Sequence, residues 1–246
     1  MTLGSLSDGY RAAVFGASGG IGRAIIELLQ ADERCALVHA GSRNPSPAKS
    51  SKVQPFAFDL EDDWSVDGAT SLVTSQDGLD LVIVATGRLH GAGLEPEKTM
   101  RSLETEALKQ AFMLNTIGPA MIAKRILPRL PRDRRTLFAV LSARVGSISD
   151  NRLGGWHSYR ASKAALNMLI RTLAIEQART HSLGLCVALH PGTVDTALSK
   201  PFQSGVPPER LFSPAFAAGQ LLSLLDGLAP SQSGRMFGWD GEEISP

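Results

Sequence analysis

Residues Val14-Phe15-Gly16-Ala17-Ser18-Gly19-Gly20-Ile21-Gly22-Arg23 decide how the rest of this chain is read. The apolar run 12–15 predicts a strand. Residues 23–30 predict a helix, with Ile25, Ile26, Leu28 and Leu29 on its apolar side. The glycines between them admit positive φ and let a ligand approach the backbone. A helix that starts on such a turn aims its free N–H groups, and the positive end of its dipole, at an anion. The spacing is G-x-x-x-G-x-G, which departs from the commoner G-x-G-x-x-G dinucleotide fingerprint. The alternative is a tight packing turn with no ligand. The position directly after the first strand of a strand–helix–strand unit favours a pyrophosphate on Gly16, Ser18, Gly19, Gly20, Ile21 and Gly22.

Working outward, further apolar runs at 35–40, 53–58, 81–85, 137–141 and 185–189 predict strands, and 236–238 predicts a last short one. Helical patterns cover 105–127, stopped by Pro128, and 161–178. This alternation predicts an α/β fold of the Rossmann type. It has one doubly wound, mostly parallel sheet of about seven strands, in a single domain over residues 1–246. The proline-rich stretch 200–214 reads as a surface excursion. Ligands of such sheets bind outside the carboxyl ends of the strands, so motifs there carry the most weight.

Composition narrows the function. The 246 residues carry 25 Lys+Arg against 24 Asp+Glu, a formal net charge of +1, which argues against nucleic acid or an anionic membrane as partner. No apolar stretch reaches the length that spans a bilayer, and the first residues lack the pattern of a signal peptide. Cys35 and Cys186 lie in apolar runs and read as buried thiols of a reducing, cytoplasmic setting. His90 and His181 show no metal-ligand spacing, so no metal is expected.

The second strand reports on the cofactor. An acid at its end would bond a ribose 2′-hydroxyl and favour NAD. Here Gly41-Ser42-Arg43 follows instead. Arg43 can pair with a 2′-phosphate and Ser42 can donate to it, so NADP(H) is expected ahead of NAD(H). The alternative is an ordinary solvated loop arginine. Asp59 and Leu60, ending the next strand, would flank the adenine; Asp59 either accepts from its amino group or caps the following turn. Tyr159 and Lys163 are four residues apart on one helix face. A neighbouring ammonium stabilises phenolate, so such a tyrosine can exchange a proton with a carbonyl oxygen or hydroxyl as hydride moves. By itself Y-x-x-x-K is common on solvated helix faces.

The glycine turn followed far downstream by this pair resembles the short-chain dehydrogenase/reductase family, over essentially the whole chain. The resemblance implies hydride transfer between NADP(H) and a carbonyl or alcohol substrate. Tyr159 would be the acid/base, with Lys163 lowering its pKa and holding the nicotinamide ribose. Asn115 resembles the family's helix asparagine, which holds a relay water. Pro191-Gly192-Thr193-Val194-Asp195-Thr196 is similar to P-G-x-V-x-T: the backbone near Val194 would meet the nicotinamide amide, and Thr196 the phosphates. Ala85-Thr86-Gly87 takes the place of the N-A-G turn beside the adenosine ribose, without its asparagine.

The family's working serine falls on Ala143, and Ser142 is expected to substitute. Neighbours in an extended strand face opposite ways, so that needs a bend at the strand end. Ser147 is a second candidate. The string 142–163, with Asn151, Gly154-Gly155 and Arg160, also resembles the subgroup of C-factor-type signalling proteins and small sniffer-related carbonyl reductases. Trp156 and His157 would line the substrate cleft, and residues 197–213 would close over an apolar substrate. The resemblance further implies a homodimer or homotetramer through the helices 105–127 and 161–178. The alternative reading is a catalytically weak NADP(H)-binding signalling or sensor protein of the same fold, for which Ala143 speaks.

Overall fold

The computed structural model describes residues 2–48, 50–75, 78–91 and 93–246. Its main sheet contains β1 (Tyr10–Phe15), β2 (Cys35–Ser42), β3 (Val53–Ala57), β4 (Leu81–Val84), β5 (Thr136–Leu141) and β6 (Gly184–His190). A two-stranded pair, β7 (Thr193–Val194) and β8 (Leu211–Phe212), stands apart, and β9 (Met236–Gly238) closes the main sheet. The spatial order is β3-β2-β1-β4-β5-β6-β9, and every neighbouring pair is parallel. The chain winds one way from β1 to β3 and the other way from β4 onward. The switch point therefore lies between β1 and β4, where the glycine turn ends β1.

The central strands are apolar throughout because both faces are covered. All of β4 and β5 is buried. Alternate side chains feed two cores. Val14, Ile83, Ala139 and Val187 pack with Ile25 and Leu29 of α1 (Gly20–Ala31) and Leu221 and Leu225 of α6 (Pro214–Gly227). Phe15, Val84, Phe138 and Val140 pack on the other side. There they meet Val66 of α2 (Asp63–Thr74), Ile122 of α4 (Gly118–Ile126), and Leu166 and Ile170 of α5 (His157–Gln177).

The helix expected over 105–127 is broken. α3 (Thr105–Phe112) passes into a π-helical turn, Met113–Ile117, before α4 begins. Pro119 supplies the reason. A proline inside a helix lacks an N–H, and its ring meets the carbonyl four residues back, which is that of Asn115. Widening the turn relieves the clash, and such turns recur at functional sites.

Two helices go beyond the expected pattern. In α2 the apolar period is diluted by Gly68, Thr70 and Thr74, but Asp62 caps it, accepting from Trp64 N at 3.0 Å and Ser65 N at 3.3 Å. α6 starts on Ser213, which accepts from Phe216 N at 3.1 Å, with Pro214 in its first turn. The proline-rich stretch thus ends as a helix start. Among the described residues no helix is long and apolar enough to cross a membrane, and no group of three acids, histidines or cysteines could hold a metal.

Candidate active site

The glycine turn is wedged between two strand ends. Gly16 N and Ala17 N donate to Gly41 O at 2.9 and 2.8 Å, and Ala85 N donates to Phe15 O at 2.7 Å. Gly16 has φ +103°, and a β-carbon there would stand 2.9 Å from the Ala85 carbonyl. At Gly22 a β-carbon would lie 2.2 Å from Gly16 O, so only glycine lets α1 pack this closely on the turn. α1 has no side-chain cap and no acid in its first turn, which leaves its N-terminus open to an anion. The Thr196 methyl stands 2.7 Å from the place of a Gly20 β-carbon, so the segment after β6 reaches the turn.

This turn forms one wall of a cleft along the strand ends. Its first part, about 210 Å³, is lined by Ser42, Arg43, Phe58, Asp59, Leu60 and the Ala85-Thr86-Gly87 turn. Ser42 is buried and Arg43 exposed. Asp59 Oδ1 accepts from Glu61 N at 3.0 Å, so its carboxylate caps its own turn. Thr86 Oγ1 is buried without a hydrogen-bond partner. An open helix N-terminus, an arginine with a buried serine beside it, and an unsatisfied hydroxyl match the phosphates and ribose of a dinucleotide.

The second part, about 440 Å³, is lined by Tyr159, Lys163, Leu141, Ser142 and residues of both the glycine turn and the segment after β6. Tyr159 and Lys163 lie in the first two turns of α5, and Lys163 Nζ is 5.8 Å from the tyrosine ring centroid. Lys163 Nζ donates to Leu141 O at 2.8 Å, which ties α5 to the end of β5. Burial pushes the Lys163 ammonium down to about 8. Burial also pushes the Tyr159 phenol above its ordinary value. Desolvation acts against the depression expected from the lysine and favours the neutral phenol in this arrangement.

Asn115 ties the elements together. Its Oδ1 accepts from Arg88 N at 2.8 Å, and its Nδ2 donates to Arg88 O at 2.9 Å and Ser162 Oγ at 3.2 Å. The π turn thereby holds the loop after β4 against α5. A β-carbon on Gly87 would lie 3.5 Å from Asn115 Oδ1 and 3.6 Å from Lys163 Nζ, so both side chains reach this turn.

Ser142 lines the cleft with Tyr159, and its hydroxyl is turned toward α5. Its hydroxyl donates to Asn167 Oδ1 of α5 at 2.7 Å. Its single proton is engaged there. Ala143 continues in extended backbone, φ −149° and ψ 142°, so no bend turns Ser142 round, and the methyl of Ala143 faces the opposite way. Ser147 is also committed, donating to Ser245 O at 2.6 Å.

Arg88 and His90, on the loop after β4, also line the cleft. Arg88 lines both parts of the cleft; a cation straight after a strand-end turn was the available cue. His90 Nε2 donates to Ala197 O at 3.1 Å, which joins the loop after β4 to the 197–213 segment. Phe202 of that segment stacks edge-on with His90 at 5.6 Å and with Trp156 at 5.0 Å.

The family model described as short chain dehydrogenase matches residues 11–206. C-signal of Myxococcus xanthus is 35% identical over 137 residues, which cover 56% of this chain and 77% of that protein. Among solved structures, NADPH-bound carbonyl reductase from chicken fatty liver is 25% identical with a TM-score of 0.81, covering 98% of this chain and all (100%) of that one. The carbonyl reductase Sniffer of D. melanogaster, 22% identical, shares the fold with a TM-score of 0.81 over 97% of this chain and 99% of that one.

Proposed function

The chain belongs to the short-chain dehydrogenase family, and from that premise we propose that it is an NADP(H)-dependent reductase of carbonyl compounds, working reversibly on the matching alcohols. The observation that carries this reading is Tyr159, half-buried in the cleft, with Lys163 Nζ 5.8 Å from its ring centroid. In this reading Ser18–Gly22 hold the pyrophosphate, Ser42 and Arg43 the 2′-phosphate, and Leu60 the adenine. Ala85, Thr86 and Gly87 meet the adenosine ribose, and the backbone of Pro191–Thr196 meets the nicotinamide amide. The bound nicotinamide supplies hydride to the carbonyl carbon.

Tyr159 gives its hydroxyl proton to the carbonyl oxygen. A phenol kept protonated by burial is already in the form that reduction needs. Lys163, charged below about pH 8, stabilises the phenolate left behind. Asn115 would position a relay water that returns a proton toward Lys163. Ser142 enters only as a brace on Asn167. Residues 197–213 close over the substrate, latched by His90.

A pure NADP(H) sensor has no physical use for an ammonium brought to a half-buried tyrosine, so the reductase reading is the favoured one. The two cysteines are free and buried, which suits the cytoplasm. Ile117, Met168 and Ile175 stay 44%, 67% and 49% exposed on the π turn and α5, and these faces are assigned to a dimer or tetramer contact. The test is consumption of NADPH, beside NADH, with pooled aldehydes, ketones and quinones. Turnover with NADPH that vanishes in Tyr159→Phe supports the reading. Tight NADPH binding with no turnover of any carbonyl overturns it in favour of the sensor.

A further inference from the structure

The turn that leads into α5 is built under strain. Gly154, Gly155 and Trp156 all have positive φ, at +63°, +65° and +51°. Glycine adopts this freely; a bulky aromatic residue there is a true outlier, which persists only where the surroundings impose it. Two residues hold the turn, Glu97 of the loop before α3 and Arg160 of α5. Glu97 is buried, 4% exposed. Its main-chain oxygen accepts from Trp156 N at 2.5 Å. One carboxylate oxygen accepts from Ser158 N at 3.1 Å, and the other from the Ser158 hydroxyl. Arg160 closes the same turn from the far side, donating to Gly155 O at 3.0 Å and Val145 O at 3.3 Å.

The strain serves the position of one ring. Held this way, the indole of Trp156 lies edge-on to Tyr159 at 6.3 Å and to Phe202 at 5.0 Å, and Phe202 meets His90 at 5.6 Å. Trp156, Phe202 and His90 thus form a chain of edge-on rings that begins at the Tyr159 ring. Rings arranged edge-on favour a flat π-system between them over a compact aliphatic group. A glycine at 156 would leave the backbone unstrained but the wall missing.

Resting on the reductase reading, we propose that the Glu97 carboxylate is a positioning group: by holding Ser158, the second residue of α5, it fixes the preceding Trp156 as the wall that selects planar aromatic carbonyls over small aliphatic ones. Glu97 touches neither substrate nor cofactor and acts through Trp156 and the first turn of α5.

The test compares 4-nitrobenzaldehyde with 2,3-butanedione on the full chain with NADPH. In Glu97→Ala the KM for the aromatic aldehyde rises about tenfold relative to that for the diketone, a change of about 1.4 kcal/mol. Glu97→Gln restores the ratio, because its amide still accepts from Ser158 N and can pair with the Ser158 hydroxyl. Trp156→Gly, whose backbone suits the left-handed turn, reproduces the loss of selectivity in a chain that folds. A merely structural glutamate would lower kcat for both carbonyls alike and leave the KM ratio unchanged in Glu97→Ala; that result overturns the proposal, as does an unchanged ratio in Trp156→Gly. If the unmodified chain turns over neither carbonyl, the reductase reading is what fails. Near-ultraviolet circular dichroism then tests the positioning itself: a changed tryptophan signal in Glu97→Ala upholds it, and an unchanged one overturns it.

Discussion

The two ends of the cleft are built in different ways. The end at β1, β2 and β4 uses main-chain groups on strand ends: Gly16 and Ala17 donate to Gly41 O, and Gly22 is pressed onto Gly16. The end at α5 uses side chains carried by loops: Trp156 on a strained turn, Phe202 on the 197–213 segment, and His90 bridging to Ala197. Main-chain geometry answers to a few glycines close together in sequence. Side-chain geometry answers to partners scattered over more than a hundred residues. The first end is therefore expected to be rigid and general, and the second to decide what is reduced.

The largest expected effect tests the chemistry on which both ends converge. Tyr159→Phe should lower kcat by up to about 10⁴-fold, with NADPH affinity measured by fluorescence largely kept; retained turnover would remove Tyr159 from the mechanism. Next, at the loop end, Ala143→Ser should raise kcat/KM about 10²-fold by adding a donor on the face that Ser142 does not reach. A variant no faster than the parent would show that the substrate oxygen lies elsewhere. At the strand end, Arg43→Ala should raise the KM for NADPH roughly 10- to 150-fold, the loss of charge-assisted bonds worth about 1.5–3 kcal/mol. The KM for NADH should hold steady, and an equal rise for both cofactors would break the assignment.

Smaller effects follow from protons. Lys163 titrates near 8 in the folded chain, so kcat/KM should fall as pH rises above that value and the ammonium is lost. Stability should move the other way. Its folded pKa lies below the unfolded value of about 10.4, so across that window the unfolded chain binds a proton that the folded chain does not, and stability rises with pH. Lys163→Met should flatten both trends, as read by rate profiles and thermal melts. Smallest of all, Ser142→Ala should cost about 1 kcal/mol of stability through its lost bond to Asn167 with kcat/KM little changed. A deep loss of activity would restore Ser142 to the chemistry.

Much of the strand end, and one pair at the α5 end, was legible. The glycine turn, the missing acid after β2 and the Tyr159/Lys163 spacing are local patterns, and local patterns survive folding because neighbours in sequence dictate them. The break in the helix over 105–127 was written in Pro119, whose clash with the Asn115 carbonyl follows from covalent geometry alone. α6 was marked by Ser213 and Pro214. The fate of Ser142 was not legible, because its proton goes to Asn167, 25 residues away. Nor was Glu97, whose bonds to Ser158 cross 61 residues.

What the sequence by itself determined is the alternation of apolar strands and amphipathic helices, the open helix N-terminus at Gly19-Gly20 and the shared face of Tyr159 and Lys163. Each depends on residues within a few positions of one another, where backbone sterics and periodicity leave little choice. Only the tertiary structure decided which hydroxyl keeps a free proton, how burial orders the tyrosine and lysine, and where Trp156 points. Those depend on desolvation and on hydrogen-bond partners that meet only when the sheet brings the ends of β4, β5 and β6 together.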